Sequence, residues 1–435
     1  MSEVIRSVSS KAELNMHRSG LIRGFISLAA VAMVLVLPGC ATFSASVVQM
    51  ETATANRDLD GAVKALDELK LTGGDETLHH LDKGTLLRLQ GNYAESNKHF
   101  DAAKSLMEKF NAISITEQAA SVAVNDTLKA YDGLPSEQMM VFAFKALNYL
   151  QSDEADEAAV EARQFNVKQH LISEKNAKAK YLSGAFVRYL NSMVYEAVND
   201  KDAARIEAEK AVDAYKLQGS GFPVPKALTE DLKRLNAEKA AASEAVFILQ
   251  NGLGPSLNEV IVRVANPAPQ NGVSLFSLAV PKFSRRIVPV ARVVLSSGSA
   301  NATSEVVEDV NDIAEKSLND RLPTIIARGV ARMVAKSVVV AEAKKRGGEL
   351  AGLFANVASA VSERADTRSW SLLPGNILMA RLPLSEGKHD VTATYYSASG
   401  SILGTHEFKD ILVKKGRKAF ISDYFVSPPA PVKAQ

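Results

Sequence analysis

The chain has 435 residues, 51 Lys and Arg against 49 Asp and Glu, and one cysteine. A single cysteine excludes an internal disulfide, so the fold must hold by packing and polar contacts alone. Beyond the first forty residues no segment approaches the roughly 20 apolar residues of a spanning helix, which excludes a second segment of that kind.

In chain order, Arg18 and Arg23 form a basic lead to an uncharged, mostly apolar run over residues 25 to 37, which ends in Leu37-Pro38-Gly39-Cys40. The run is too short to span and has the length of a signal-peptide core. Leu37, Pro38 and Gly39 before Cys40 resemble the lipobox of bacterial lipoprotein signals. That resemblance implies cleavage before Cys40, diacylation of its sulfur and acylation of the new amine. Met16 would give a signal of ordinary length and is read as the translation start. Several acyl chains hold a protein firmly, at about 0.8 kcal/mol per buried CH₂. Ala41, where an Asp would signal inner-membrane retention, points to the outer membrane. The remainder is then expected to be lipid-anchored and periplasm-facing, where nucleic acid is not a partner.

Removing residues 1 to 39 leaves 47 basic and 47 acidic residues. They are distributed unevenly. Residues 51 to 240 hold 24 basic and 30 acidic residues, a balance of −6, and residues 241 to 435 hold 23 and 17, a balance of +6. Such asymmetry suits a docked domain pair, a basic face for an anionic partner, or two ordinary solvated domains.

From about residue 57 to 216 the chain is rich in Ala, poor in Gly and apolar at helical intervals, which predicts paired helices. Leu59, Ala62, Leu66 and Leu69 are matched 34 residues later by Tyr93, Ser96, Phe100 and Ala103. That offset resembles the tetratricopeptide repeat, with Gly91 at the turn and small residues allowing close approach. Looser copies run through Tyr149, Ala158 and Ala162, and through Tyr195, Ala204 and Ala208. Stacked helix pairs of this kind predict a solenoid with a partner-binding groove. Asp153, Glu154, Asp156 and Glu157 read as a solvated inter-helix turn.

The segment Gly219-Ser220-Gly221-Phe222-Pro223 marks a boundary. After one connecting helix, strands are expected over residues 245–249, 259–264, 273–280 and 287–295, and again over 377–382, 390–396, 402–408 and 419–426. Between these sets a helical insertion is expected. Ser304, Glu305, Glu308 and Asp309 suit its N-terminus, Pro323 suits the first turn of a second helix, and Lys344 to Gly348 suit its close.

Several stretches resemble one family of Gram-negative tetratricopeptide-type outer-membrane lipoproteins. They are Ala146-Leu147-Asn148-Tyr149-Leu150 with Glu161-Ala162-Arg163, Arg188-Tyr189-Leu190 with Tyr195-Glu196-Ala197, Asn251-Gly252-Leu253-Gly254-Pro255, and Ala365-Asp366-Thr367-Arg368-Ser369-Trp370 with Leu373-Pro374. The resemblance implies a role in envelope maintenance near peptidoglycan synthesis and supplies no agreed activity. Asp366, Arg368 and Trp370, the last the only tryptophan, are a candidate recognition patch. The plainer reading has Asp366 and Arg368 pairing while Trp370 plugs a seam.

Motifs that carry chemistry are missing: there is no phosphate-binding glycine loop, no H-E-x-x-H and no G-x-S-x-G. Ser385 and Lys388 match S-x-x-K without its partner motifs. His79, His80 and His99 can approach one another across stacked helices, but the sequence offers them no evident carboxylate or cysteine partners. No catalytic residue, metal site or cofactor is therefore expected.

The expected fold is α+β and multidomain, an N-terminal tetratricopeptide-like solenoid followed by a β-sandwich-like domain with a helical insertion. Its parts are a signal (1–39), a lipidated linker (40–56), the helical domain (57–218), a linker with connecting helix (219–243), a β domain in two parts (244–302 and 367–427) around an insertion (303–366), and a disordered tail (428–435). The expected function is a non-enzymatic scaffold or regulator binding a cell-envelope protein, in peptidoglycan or envelope assembly. The alternatives are direct binding of peptidoglycan or an anionic glycan or lipid through the basic C-terminal half, and a cell-wall hydrolase.

Overall fold

A computed structural model describes residues 43–117, 129–219, 222–265, 275–361 and 364–428. The fold is mixed helix and sheet, and residues from Phe43 onward form one compact unit. Helices come first. After a single turn, α1 (Phe43–Ser46), they pair as α2 (Val48–Ala55) with α3 (Leu59–Glu68), α4 (Glu76–Leu89) with α5 (Tyr93–Glu117), α6 (Pro135–Gln151) with α7 (Ala155–Lys175), and α8 (Ala185–Ala197) with α9 (Lys201–Gln218). A further helix, α10 (Lys226–Asn236), leads into the strands.

The four hairpins share one turn. Each joins its helices through three residues whose middle member has a left-handed backbone: Arg57 (φ 60°), Gly91 (77°), Asp153 (60°) and Asn199 (62°). The next amide bonds back five residues each time, Asp58 to Ala53, Asn92 to Leu87, Glu154 to Tyr149 and Asp200 to Tyr195, at 2.8 to 3.0 Å. Asp58 and Asp200 then cap the second helix by accepting the amides of Gly61 and Ala203. The hairpins also close on buried small residues twelve apart, Gly84 with Ser96, Ala146 with Ala158, and Ser192 with Ala204. Ser96 Oγ donates to Gly84 O at 2.7 Å and Ser192 Oγ to Ala204 O at 2.8 Å. A Cβ on Gly84 would lie 2.8 Å from the Phe100 ring, so hydrogen is what lets α4 and α5 meet.

The strands form a three-layer arrangement with the helices. The middle layer is a sheet in the order β10 (Lys418–Phe425), β1 (Glu244–Asn251), β7 (Asn376–Pro383), β6 (Glu305–Asp309), with β10 parallel to β1 and the rest antiparallel. The outer layer is antiparallel, β5 (Ala300–Thr303), β4 (Arg292–Ser297), β8 (Gly387–Tyr396), β9 (Ile402–Val413). Alternation along β1 explains the stacking. Ala245, Phe247 and Leu249 share a core with Val293, Leu295, Val391 and Tyr395 of the outer sheet. Val246 and Ile248 turn the other way, into the core built by the helices. All eight residues of β1 are buried, as a strand covered on both faces requires.

Three expectations change. Residues 40 to 56 are not a linker where described: α2 belongs to the first hairpin, with Met50 and Glu51 buried. Glu305 to Asp309 is a strand, because pairing with β7 outweighs the acidic pattern. Of those acids Asp309 alone caps the following helix, accepting the Asp312 amide at 3.0 Å. That helix, α11 (Val310–Val361), runs unbroken for 52 residues, roughly 78 Å at 1.5 Å per residue, through Pro323 and past Gly347-Gly348. Proline removes one backbone bond, while cooperative bonding on either side carries the helix across. The two-stranded hairpin of β2 (Ser256–Ala265) and β3 (Leu275–Ser284) packs on α11, with Leu278 against Gly329. Among the described residues no helix is long and apolar enough to cross a membrane.

Candidate functional site

Leu37, Pro38, Gly39 and Cys40 lie outside the described residues. Asp366, Arg368 and Trp370 lie at the seam between the helices and the C-terminal half, which is the most chemically loaded region of the fold.

The first helix of every hairpin reaches into that seam. From α2, Glu51 pairs with Arg286 at 2.5 Å. From α4, Asp82 Oδ1 accepts the Leu372 amide at 2.9 Å, and from α6, Glu137 Oε1 accepts the Trp370 amide at 2.8 Å. From α8, Tyr189 OH accepts from Arg381 at 2.9 Å, and Glu196 holds Lys418 at 2.7 Å. The inner face of the helical array is thus covered by the chain's own sheet and by the segment around Trp370.

Trp370 is 2% exposed. Its ring lies 5.7 Å from that of Phe100 and 5.5 Å from that of Phe144, both edge-on, and its Nε1–H donates to Thr85 Oγ1 at 3.0 Å. Arg368 is also turned inward. It holds both oxygens of Asp366, at 2.9 and 2.7 Å, and crosses to Asp75 Oδ1 at 2.7 Å and to Lys129 O at 2.9 Å. The three residues therefore lie together, but as a buried joint and not as an exposed recognition patch. The Arg–Asp pair satisfies its own hydrogen bonds, and the indole finds an aromatic pocket and a partner for its N–H.

Burial governs the titration of the seam. It pushes the Asp82 carboxyl up to about 8, against the Leu372 amide hydrogen bond that favours the anion. Glu137 is raised by burial too, although Tyr131, Trp370 and Leu134 all donate to it. At Asp231 burial also raises the pKa, but Arg381 more than offsets it, and the net shift is downward.

Asp231 belongs to a second buried cluster. Arg381 of β7 bonds both Asp231 of α10 and Glu244 of β1, Arg234 bonds Glu196 at 2.5 Å and Asp231 at 3.0 Å, and Lys418 lies 3.5 Å from Glu244. Three cations and three anions are matched there at the join of α8, α10 and the middle sheet. Nothing local in the sequence marks these six residues, which lie up to 222 positions apart.

Three smaller constellations stand apart. His406 Nδ1 meets the buried Asp423 at 2.7 Å, and that carboxylate also accepts from Tyr395 and Arg57. An imidazole oriented in this way could serve a base, yet among the described residues no hydroxyl is hydrogen-bonded to its other nitrogen. Glu308 borders a small recess between Met139, Met140, Tyr181, Val187 and Ile313, with Oε2 unpartnered. Burial raises its pKa to about 8. Finally, His79, His80 and His99 do meet, with His80 Nδ1 and His99 Nδ1 2.8 Å apart. Burial, then the neighbouring imidazoles and Lys83, lowers His99 to about 4. Lys388 turns to Asp410, so Ser385 and Lys388 form no dyad.

No family model, curated protein or solved structure matches the chain.

Proposed function

We propose that this chain is an outer-membrane lipoprotein, anchored through Cys40 and facing the periplasm, that acts as a non-enzymatic scaffold or regulator of an envelope machine such as peptidoglycan assembly. Its helical half is a degenerate tetratricopeptide-type array. The observation that carries the reading is the fourfold recurrence of one helical hairpin, with the same left-handed turn at Arg57, Gly91, Asp153 and Asn199, downstream of a lipobox-like sequence. Repeats of that kind add surface without adding chemistry.

The inner face of the array is already filled by the chain itself, so the partner is assigned to the outer helices. There Val167 (65% exposed) and Leu171 (48%) stand one turn apart on α7. Ile206 is exposed on the adjoining α9, and an Asn166–Glu207 hydrogen bond of 3.1 Å joins the two helices. Large apolar residues clustered on a solvent face are characteristic of interaction surfaces. In-cell photocrosslinking from positions 167, 171 and 206 tests this. A discrete envelope protein captured from these positions, and not from Lys388 on the outer sheet, is the expected result. Capture of only glycan or lipid, or of no partner, would overturn it.

A further inference from the structure

We propose that His79, His80 and His99 form a binding site for a borderline divalent transition-metal ion of the zinc class, on the flank of the second helical hairpin. Consecutive residues of α4 supply two imidazoles, and α5 supplies the third across the Gly91 turn. The ring centroids lie 5.1, 5.6 and 6.3 Å apart. Three imidazoles sharing one ion at 2.0–2.1 Å per bond place their centroids roughly 5 Å apart. The cluster is therefore near the size that coordination demands.

His80 Nδ1 and His99 Nδ1 already face each other at 2.8 Å. A tetrahedral ion needs about 3.3 Å between two ligand nitrogens, which is a shift of about 0.3 Å for each ring. Among the described residues no three ligand atoms converge on one point: the His80–His99 hydrogen bond holds that pair closed, and His79 Nε2 faces Asp67 at 3.8 Å. Binding replaces that bond. The proton between the two rings moves to the far nitrogen of its own ring, and both Nδ1 lone pairs turn to the ion. His79 completes the set by rotating its ring.

Nearby carboxylates favour a cation at this position. Asp67 Oδ1 lies 3.8 Å from His79 Nε2, and Glu76 Oε1 lies 3.9 Å from His80 Nε2, too far for hydrogen bonds but close enough for their charge to act. They also offset the ion's charge beside Lys83, which Asp67 holds at 2.7 Å. The side chains of His79 and His80 are 23% and 20% exposed, so an ion can reach them from solvent. This inference is independent of the scaffold reading.

The test uses the full-length chain in detergent, stripped by chelator and then titrated with zinc chloride by calorimetry and with cobalt(II) chloride by visible absorption. One equivalent of zinc is expected, with the intense d–d bands of tetrahedral cobalt. His80→Ala and His99→Ala should each weaken binding about tenfold or more, while His389→Ala, distant on β8, leaves it unchanged. His99→Gln keeps a hydrogen-bonding group beside His80 and serves if the alanine variant does not fold. No stoichiometric uptake, or uptake that persists in the His80 and His99 variants, would overturn the site and leave a simple histidine–histidine hydrogen bond.

Discussion

Replacing Trp370 by alanine should loosen the joint between the helices and the sheets severely. An indole of this kind buries about 150–250 Å², worth about 4–6 kcal/mol at ~25 cal/mol per Å². An extended reference chain makes that an upper bound, and a correction of 10–40% brings it to roughly 3–5 kcal/mol. The same range is typical of aromatic-to-alanine changes in cores. Thr85 Oγ1 loses its donor but still donates to Leu81 O at 2.9 Å, so no buried polar group is orphaned. Against a native stability of about 5–15 kcal/mol, the loss is large. Trp370→Phe keeps most of the area and forfeits the Nε1 hydrogen bond, and should cost about 1–2 kcal/mol. Urea unfolding followed by far-ultraviolet circular dichroism measures both variants. The alanine variant should unfold at much lower urea, with the helical and sheet halves separating into two transitions. A Trp370→Ala chain within about 0.5 kcal/mol of wild type, the range of a surface change, would refute the claim that this side chain joins the halves.

Two further outcomes follow from the buried charges. Arg381→Met leaves Asp231 and Glu244 facing each other without their shared cation, and should cost about 3–5 kcal/mol; an unfolding midpoint equal to wild type would mean the cluster contributes nothing. Asp82 binds its proton more tightly folded, near pH 8, than its ordinary value of 3.8. Native chains therefore hold more protons than unfolded ones between those values, and stability should fall as pH rises toward 8. Asp82→Asn should flatten part of that slope in urea titrations from pH 5 to about 9, and an unchanged slope would assign it to other groups.

Much of the helical half was legible because its signals are local. A 34-residue offset and a glycine at position 91 describe a turn and two amphipathic faces, and α3, α4 and α5 follow them. The same turn recurs without glycine at Asp153 and Asn199, since Asn and Asp tolerate a left-handed backbone, and at Arg57, which has no such local preference. Of these, only the acidic segment at Asp153 reads as an inter-helix turn in the sequence. The hairpin over residues 48 to 68 was half missed for a related reason: α2 has almost no apolar stripe, and its buried members include Glu51 and Thr54.

Composition and periodicity alone determined the class of this protein, mixed helix and sheet with helices first, and most strand positions, because those depend on residues a few places apart. Tertiary structure decided what covers what. Whether Val246 or Phe247 faces the helices, whether Glu305 to Asp309 is a strand or a helix start, and whether Trp370 is a patch or a plug depend on partners many residues distant. The same is true of the ion cluster, where Lys418 meets Glu196 across 222 positions. Desolvation makes these groups choose each other only once the chain has closed around them, and no local pattern in the sequence encodes that choice.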